Sequence, residues 1–96
     1  MLEVDYTSRF QRDVKRLKKK HINLDPLIEL VDLVIQNTPA SLEELKRHHN
    51  MHDLKGEWAG SRECHVANFG DWLVIWREDN RIAVFQRTGS HDELFE

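Results

Sequence analysis

The hydrophobic pattern of this chain changes its period between His49 and Ser61, and that change restricts the possible folds. Between Phe10 and His49, apolar residues recur every three or four positions, as on one face of a helix. After it come three short runs rich in β-branched and aromatic residues, which are typical of strands. The runs are Ser61–Asn68, Asp71–Arg77 and Arg81–Arg87. Helices and strands must bury their apolar faces against each other, so the pattern predicts an α+β domain.

The first half of the chain predicts a strand and two helices. Leu2–Tyr6 alternates apolar and polar residues, as in a half-buried strand. Ser8 and Gln11 have the spacing of a capping box that opens a helix. The apolar face of this helix consists of Phe10, Val14 and Leu17. Asp25-Pro26 places an N-cap acid before a proline and predicts a second helix start. The second helix presents Leu27, Leu30, Val31 and Val34 on one face.

The second helix is expected to stop at Asn37 and Pro39, because asparagine favours a left-handed C-cap and proline cannot continue a helix. Ser41 and Glu44 form another capping-box pattern, which predicts one or two helical turns within Ser41–His49. No internal repeat, low-complexity segment or linker interrupts the sequence.

The three strand-like runs predict an antiparallel meander. The middle run is apolar on both faces from Trp72 to Trp76 and is expected to be the central strand. Phe69-Gly70 and Glu78-Asp79-Asn80 are short enough to be the connecting turns. The predicted fold is therefore an N-terminal strand, two helices and a three-stranded antiparallel meander, with the helices on one face of a small sheet. A length of 96 residues fits one domain, residues 1–96.

Composition excludes several classes of protein. The chain is 40% apolar and 32% charged, as in a soluble globular domain rather than a disordered one. No apolar run approaches the roughly 20 residues that span a membrane, and no secretory signal follows the start. A single cysteine, Cys64, cannot form an internal disulfide, which fits a reducing cytoplasm. No glycine-rich phosphate loop is present, and no cofactor is predicted.

Charge is unevenly distributed over a chain whose net charge is −3. Seven basic residues and one acid, Asp13, lie between Arg9 and Lys20. Such a run is either a solvated helix face or a local footprint for nucleic acid. The negative net charge argues against tight nonspecific binding to naked nucleic acid, since that binding depends on cations that meet phosphates.

Histidines are the clearest candidates for chemistry. His48 and His52 are four residues apart, like two ligands on one helical turn, but the glutamate of the helical zinc-protease motif is missing. No metal site is therefore predicted. His65 lies in a strand, where a histidine is either a half-buried structural residue or a catalytic one.

The predicted strand ends supply partners for His65. Arg87 ends the last strand, and His91 follows the turn Thr88-Gly89-Ser90. Asp71 begins the central strand. An antiparallel meander can bring these ends to one side of the sheet. Imidazoles exchange protons near neutral pH and a guanidinium binds phosphate, so the set suffices to cleave RNA without a metal.

Nucleophilic catalysis is less well supported. Ser90 adjoins His91 in sequence, which gives no triad geometry by itself. Cys64 is expected to face inward, without a helix N-terminus to acidify its thiol.

The segments that carry these residues resemble the YafQ branch of the RelE/ParE toxin superfamily. The quoted segments are "HDLKGEWAGSRECHV" (His52–Val66), "DWLVIW" (Asp71–Trp76) and "FQRTGSHDELF" (Phe85–Phe95). "SRFQRDVKRLKK" is also similar to the first helix of that family, so the resemblance extends over essentially the whole chain.

The resemblance implies the toxin of a bacterial type II toxin–antitoxin pair. Such a toxin is an endoribonuclease, or mRNA interferase, that cuts mRNA in the ribosomal A site within the cytoplasm. Its expected partners are a cognate antitoxin, the ribosome and mRNA. Operator DNA is expected to be bound only by the toxin–antitoxin complex, which represses its own operon, and no membrane contact is expected.

The resemblance also implies which residues form the site. The family's positions correspond here to His52, His65, Asp71, Trp72, Arg87, His91 and Phe95. His91 is the expected general acid, and His65 or Asp71 is expected to help activate the ribose 2′-OH. His52 is expected to contact substrate or share in proton transfer.

Other residues are expected to bind RNA. Arg87 would hold the scissile phosphate. Trp72 and Phe95 would contact bases, and core packing is the alternative for both. Further substrate contacts are expected from Arg62, Lys18 and Lys19. Glu63 would either tune the neighbouring imidazole or face solvent. Core or scaffold positions are assigned to Trp58, Trp76 and Phe85.

Two other functions remain open. One is a noncatalytic toxin of the same fold that blocks a target such as DNA gyrase. That protein would not need two histidines and an arginine gathered at one end of the sheet. The other is a structural or regulatory partner that has lost catalysis, which the sequence does not exclude because a fold does not prove activity.

Overall fold

The computed structural model describes residues 1–67 and 71–95. The elements follow one another as β1 (Glu3–Tyr6), α1 (Ser8–Lys19), α2 (Asp25–Gln36), α3 (Pro39–His49), β2 (His52–Asp53), a 3-10 turn (Gly56–Trp58), β3 (Arg62–His65), β4 (Leu73–Asp79), β5 (Ile82–Gly89) and α4 (His91–Phe95). Within these residues the strands form one sheet in the order β1-β5-β4-β3-β2. β1 runs parallel to β5, and the remaining pairs are antiparallel.

The α+β class is confirmed, but a three-stranded antiparallel meander is the wrong description of the sheet. In the described residues the sheet is mixed and has five strands, because β1 and the two-residue β2 pair onto the edges of the meander β3–β5. The parallel pairing of β1 with the first half of β5 is a long-range contact that a local pattern cannot reveal. Strand bounds also differ, since β3 is shorter than Ser61–Asn68 and both β4 and β5 end two residues later than predicted.

The first two helices begin close to their predicted positions. α1 is capped by Thr7 rather than Ser8, because the Thr7 hydroxyl accepts a hydrogen bond from the Phe10 N–H at 3.1 Å. The same hydroxyl donates to the Gln86 carbonyl at 2.9 Å and so joins α1 to β5. α2 begins at Asp25, which is the first helical residue rather than the predicted N-cap.

The third helix is longer than predicted. Asn37 ends α2 in the left-handed conformation as expected, with a φ of 51°. α3 then begins at Pro39, and Thr38 and Ser41 form its capping box in place of the predicted Ser41 and Glu44. The sequence argument used Pro39 only as a stop signal, although proline is also favoured at the first position of a helix.

The turn between β4 and β5 is Asn80-Arg81, not the predicted Glu78-Asp79-Asn80. Both turn residues have positive φ, 52° and 66°, as a type I′ hairpin requires. β4 therefore continues to Asp79, which pairs with Ile82. The predicted link Phe69-Gly70 lies outside the described residues.

Apolar side chains cover both faces of the sheet. α1, α2 and α3 pack on one face in the main core, and its largest buried members include Leu30, Leu45, Trp76 and Phe85. The core positions predicted for Trp76 and Phe85 are confirmed. A smaller cluster on the other face contains Leu73, Ile75 and Leu94, with Leu54 and Trp58 against it. Because Leu94 belongs to α4, the helices do not all lie on one face. None of the described helices is both long and apolar enough to cross a membrane.

Candidate active site

A row of four side chains crosses the sheet face that α4 packs against. His52, Glu63, Ile75 and Arg87 are successive cross-strand partners on β2, β3, β4 and β5. Partners in an antiparallel ladder point to the same face. His65 lies on that face too, two residues beyond Glu63. Neighbouring strands are about 4.8 Å apart, so roughly 10 Å separates the backbones of Glu63 and Arg87.

His52 and Glu63 form an acid–base pair within this row. Nδ1 of His52 lies 2.7 Å from the carbonyl oxygen of Asn50, so the proton on Nδ1 is donated there. Nε2 lies 3.2 Å from Oε1 of Glu63, and that contact needs a proton on one of the two groups. Glu63 is 6% exposed, and its Oε2 has no hydrogen-bond partner in the described residues. Glu63 therefore does not face solvent, and one of its oxygens is buried without a hydrogen-bond partner among the described residues.

Arg87 is held in place by a buried carboxylate on α1. Its Nε and Nη2 lie 2.7 and 3.2 Å from the two oxygens of Asp13, a bidentate pair. Asp13 is 3% exposed and also accepts from the backbone N–H of Thr88 and from Arg16. Arg87 as a whole is 7% exposed, and no hydrogen-bond partner of its Nη1 lies among the described residues. One edge of the guanidinium is thus fixed by Asp13.

α4 presents His91 and Phe95 at the end of β5. The Asp71 carboxylate accepts the backbone N–H of His91, with both oxygens 3.1 Å away. The His91 ring contacts Phe95 in a tilted arrangement with a centroid distance of 4.9 Å and an interplanar angle of 43°, and Phe95 meets Trp58 edge-on at 6.2 Å. The segment after β5 is therefore an ordered helix that carries an exposed imidazole.

A reciprocal capping box fixes the start of α4. The Ser90 N–H donates to Oε1 of Glu93 at 2.8 Å, and the Glu93 N–H donates to the Ser90 hydroxyl at 3.2 Å. The preceding Gly89 has a φ of 153°, and a Cβ there would lie 2.9 Å from Glu93 Oε1. Only glycine allows the strand to meet the helix this closely.

Glu93 also joins α4 to the basic helix. Its carboxylate lies 3.2 Å from Nε of Arg16 and 3.9 Å from Nζ of Lys20. The hydrogen bond from the Ser90 N–H lowers the pKa of Glu93 below its usual value. The Ser90 hydroxyl and the two cations act in the same direction, while partial burial opposes them.

Glu93→Gln is expected to lower the free energy of unfolding at neutral pH and to flatten its decline in acid. The folded-state pKa lies below the unfolded value of about 4.5. Glu93 therefore adds stability above that pH and loses it as the pH falls through the folded pKa. Urea unfolding across the acid range measures this effect, with Glu29→Gln on the exposed face of α2 as the control. Parallel pH curves for Glu93→Gln and wild type would contradict the expectation.

Several residues expected at the site lie elsewhere in the structure. Trp72 packs on the main core and its indole N–H donates to the Thr88 hydroxyl at 2.9 Å. Arg62 alternates with Glu63 along β3, so it lies on the opposite face, where it contacts Asp53 at 3.4 Å. Lys18 and Lys19, which were also expected to contact substrate, are exposed in the last turn of α1.

The helical spacing considered for His48 and His52 does not exist in the structure. His48 belongs to α3, where its ring contacts Glu44, whereas His52 belongs to β2. Among residues 1–67 and 71–95, no group of three or more potential ligand side chains is placed to hold a metal ion.

Cys64 faces the main core, as the alternation predicts. The thiol is fully buried. Burial, and next to it the charge of Glu63, raises its pKa to about 12. Cys64 is therefore a protonated core residue at neutral pH and not a nucleophile.

Sequence reasoning missed the role of Asp13. It is the single acid in the basic run, and it falls between Phe10 and Val14 on the apolar face of α1. A carboxylate on an apolar helical face needs a buried cation as partner. That signal was present in the sequence, although only the fold identifies Arg87 as the partner.

The fold is that of small bacterial toxins of toxin–antitoxin systems. The crystal structure of YafQ from Escherichia coli strain BL21(DE3) superposes with a TM-score of 0.85 and 31% identity, covering all of both chains. The toxin in the E. coli DinJ–YafQ toxin–antitoxin complex superposes with a TM-score of 0.79 and 32% identity, over 99% of this chain and 98% of that one.

The family described as "Bacterial toxin of type II toxin-antitoxin system, YafQ" matches residues 2–96, and the chain belongs to this family. The mRNA interferase toxin YafQ of E. coli K12 is 33% identical over 96 residues, which span 97% of this chain and 95% of that protein.

Proposed function

We propose that this protein is an mRNA interferase, the toxin of a type II pair, which cleaves RNA by metal-independent attack of a ribose 2′-OH on the adjacent phosphate. The observation that carries the proposal is the row His52–Glu63–Ile75–Arg87, which brings acid–base groups and a phosphate ligand together on one sheet face, with His91 four residues after Arg87. The similar E. coli protein is named an mRNA interferase toxin.

Arg87 binds the scissile phosphate through its Nη1. Asp13 holds the other edge of the guanidinium, so little side-chain entropy is lost when an anion binds. The charge that develops on the phosphate in the transition state is stabilised by a cation already in position.

His65 and His91 divide the proton transfers. Both Asp71 oxygens already accept the His91 N–H, which favours His65 over Asp71 as the group that takes the 2′-OH proton. His91 is exposed and protonates the leaving 5′-oxygen. Phe95 orients the His91 ring through their tilted ring contact and closes that side of the site.

Glu63 and His52 form a positioning pair at the far end of the row. Glu63→Gln is expected to slow cleavage by roughly tenfold to 100-fold, because the amide cannot share a proton with His52. The amide keeps the shape of the side chain, so the melting temperature should stay within a few degrees. Initial rates on defined mRNA measure the effect, with Glu43→Gln on α3 as control. Equal rates for Glu63→Gln and wild type would remove the pair from the site.

The ribosome presents mRNA to this face, and a cognate antitoxin inhibits the toxin in the cytoplasm. An apolar groove of about 450 Å³ between α1 and α2 contains the exposed Ile28 and is edged by Lys15 and Lys18. Its chemistry suits an amphipathic antitoxin helix with acidic flanks. The resulting complex represses its own operon by binding DNA.

A translating extract tests the activity. Wild-type protein added to the extract should produce new mRNA 5′ ends in phase with codons, and the same mRNA without ribosomes should stay intact. Arrested translation with uncut mRNA would refute the nuclease. A supercoiling assay with purified DNA gyrase tests the alternative of a noncatalytic toxin, and inhibition there together with uncut mRNA would favour that alternative.

A further inference from the structure

A second cavity lies next to the row, at the other end of α4. It has a volume of about 670 Å³, within the range of small-molecule sites. Phe95 belongs to its wall and also contacts the His91 ring, so the cavity and the proposed catalytic imidazole share one side chain. Arg77 also lines it and lies two residues beyond Ile75 on β4, on the same face as the row.

A β-bulge places Gln86 in this cavity. Ile75 pairs with Arg87 and Trp76 pairs with Phe85, so Gln86 is the extra residue of β5. Bulges redirect a side chain out of the regular alternation. The Ser61 hydroxyl donates to Oε1 of Gln86 at 2.7 Å, which leaves the amide NH₂ free to donate. Arg87 and the Gln86 amide are therefore adjacent in the chain, but Arg87 belongs to the row and Gln86 lines the cavity.

The cavity wall combines cations with aromatic rings. Arg9 and Arg77 both line it and are exposed, and neither forms an ion pair within the described residues. Trp58 and Phe95 stand edge-to-face at 6.2 Å and offer a ring surface. Proteins bind single-stranded RNA with such groups: arginine contacts the phosphate, an aromatic face contacts the base, and an amide contacts the base edge.

We propose that this cavity is a nucleotide subsite, which holds the residue of the RNA strand next to the one whose phosphate Arg87 binds. The base lies against Trp58 and Phe95, and Arg9 and Arg77 contact its phosphate. This inference rests on the proposed function, because it takes RNA as the substrate. Glu57 also lines the cavity and opposes an anion, so the subsite binds more weakly than its two arginines alone would allow.

Binding of a short single-stranded RNA to the purified protein tests the subsite. The probe is a 2′-O-methyl trinucleotide, which cannot be cleaved, and the reference is the dinucleotide. NMR titration should show the Trp58 indole N–H signal shifting with the trinucleotide and much less with the dinucleotide. Trp58→Ala should weaken trinucleotide binding by roughly fivefold or more.

Charge substitutions give a second readout with matched controls. Arg9→Gln and Arg77→Gln should each weaken trinucleotide binding and lower the slope of log affinity against log salt by about 0.7. Glu57→Gln should strengthen binding. Arg12→Gln, on the same helix but outside this cavity, should leave both quantities as in wild type. Affinities and salt slopes equal to wild type in all four variants would overturn the subsite. So would a result in which the Arg9 and Arg77 variants lose antitoxin binding while their RNA binding is unchanged.

The two proposals fail in different ways. If wild type cuts mRNA in the extract and the Arg9 and Arg77 variants cut the same positions at the same rate, only the subsite is wrong. If wild type cuts nothing but binds the trinucleotide with the expected variant pattern, the RNA site stands and the nuclease function is wrong.

Discussion

His91→Ala is expected to lower the rate of mRNA cleavage by roughly 10²- to 10⁴-fold, the usual contribution of a general acid. The His91 side chain is exposed, and its structural contact is the tilted ring contact with Phe95. The bond to Asp71 comes from the His91 backbone N–H, which alanine keeps. The fold should therefore survive, and the loss should appear in kcat rather than in stability.

Single-turnover cleavage on programmed ribosomes measures this loss. His48→Ala is the matched control, because His48 is an exposed histidine on α3 that contacts Glu44 outside the site. The wild-type rate should also vary with pH near neutrality, where imidazoles titrate, and His91→Ala should lose one limb of that profile. A His91→Ala enzyme within threefold of wild type, or a wild-type rate that is flat across neutral pH, would refute His91 as the acid.

Asp13→Ala is expected to lower the free energy of unfolding by about 3–5 kcal/mol, because it leaves the Arg87 guanidinium buried without its partner. It also removes the acceptor of the Thr88 N–H. The loss is a large part of the stability of a small domain and corresponds to a fall in melting temperature of roughly 15 °C or more. Urea unfolding measures it, and Asp32→Asn on the exposed face of α2 is the control.

A double substitution separates stability from catalysis. Asp13→Leu with Arg87→Met replaces the buried pair by apolar side chains, which often restores or raises stability. The double variant should therefore unfold near wild type yet cut no mRNA, since the phosphate ligand is gone. If Asp13→Ala unfolds like wild type, the pair is not the buried anchor described here. If the stable double variant still cuts at the wild-type rate, Arg87 does not bind the scissile phosphate.

The local pattern of the sequence was enough to predict α1, α2, part of α3, the meander strands and the α+β class. The runs that became β3, β4 and β5 were identified from their β-branched and aromatic residues. The parallel pairing of β1 with β5 was not identified from the sequence. It depends on contacts such as that between Thr7 and Gln86, which are 79 positions apart. The C-terminal helix α4, which ends at Phe95, was also missed. Its capping box begins at Ser90, and the sequence argument assigned that serine to a turn.

Only part of the candidate site could be predicted, again because some of its contacts join distant parts of the chain. Arg87, His91 and Asp71 share one sheet end in the structure as the strand order implied. Residue types alone could not show that Asp13 would hold Arg87. Nor could they show that Glu63 would be buried against His52, because both contacts join elements distant in sequence.

The pairing of β1 with β5 has a consequence for how this toxin is made. A ribosome synthesising the chain releases β1 and the three helices long before β5 leaves the exit tunnel. The sheet cannot close until then, and Arg87 and His91 are not yet exposed. The row that joins β2, β3, β4 and β5 is therefore incomplete until β5 is free to pair with both β1 and β4.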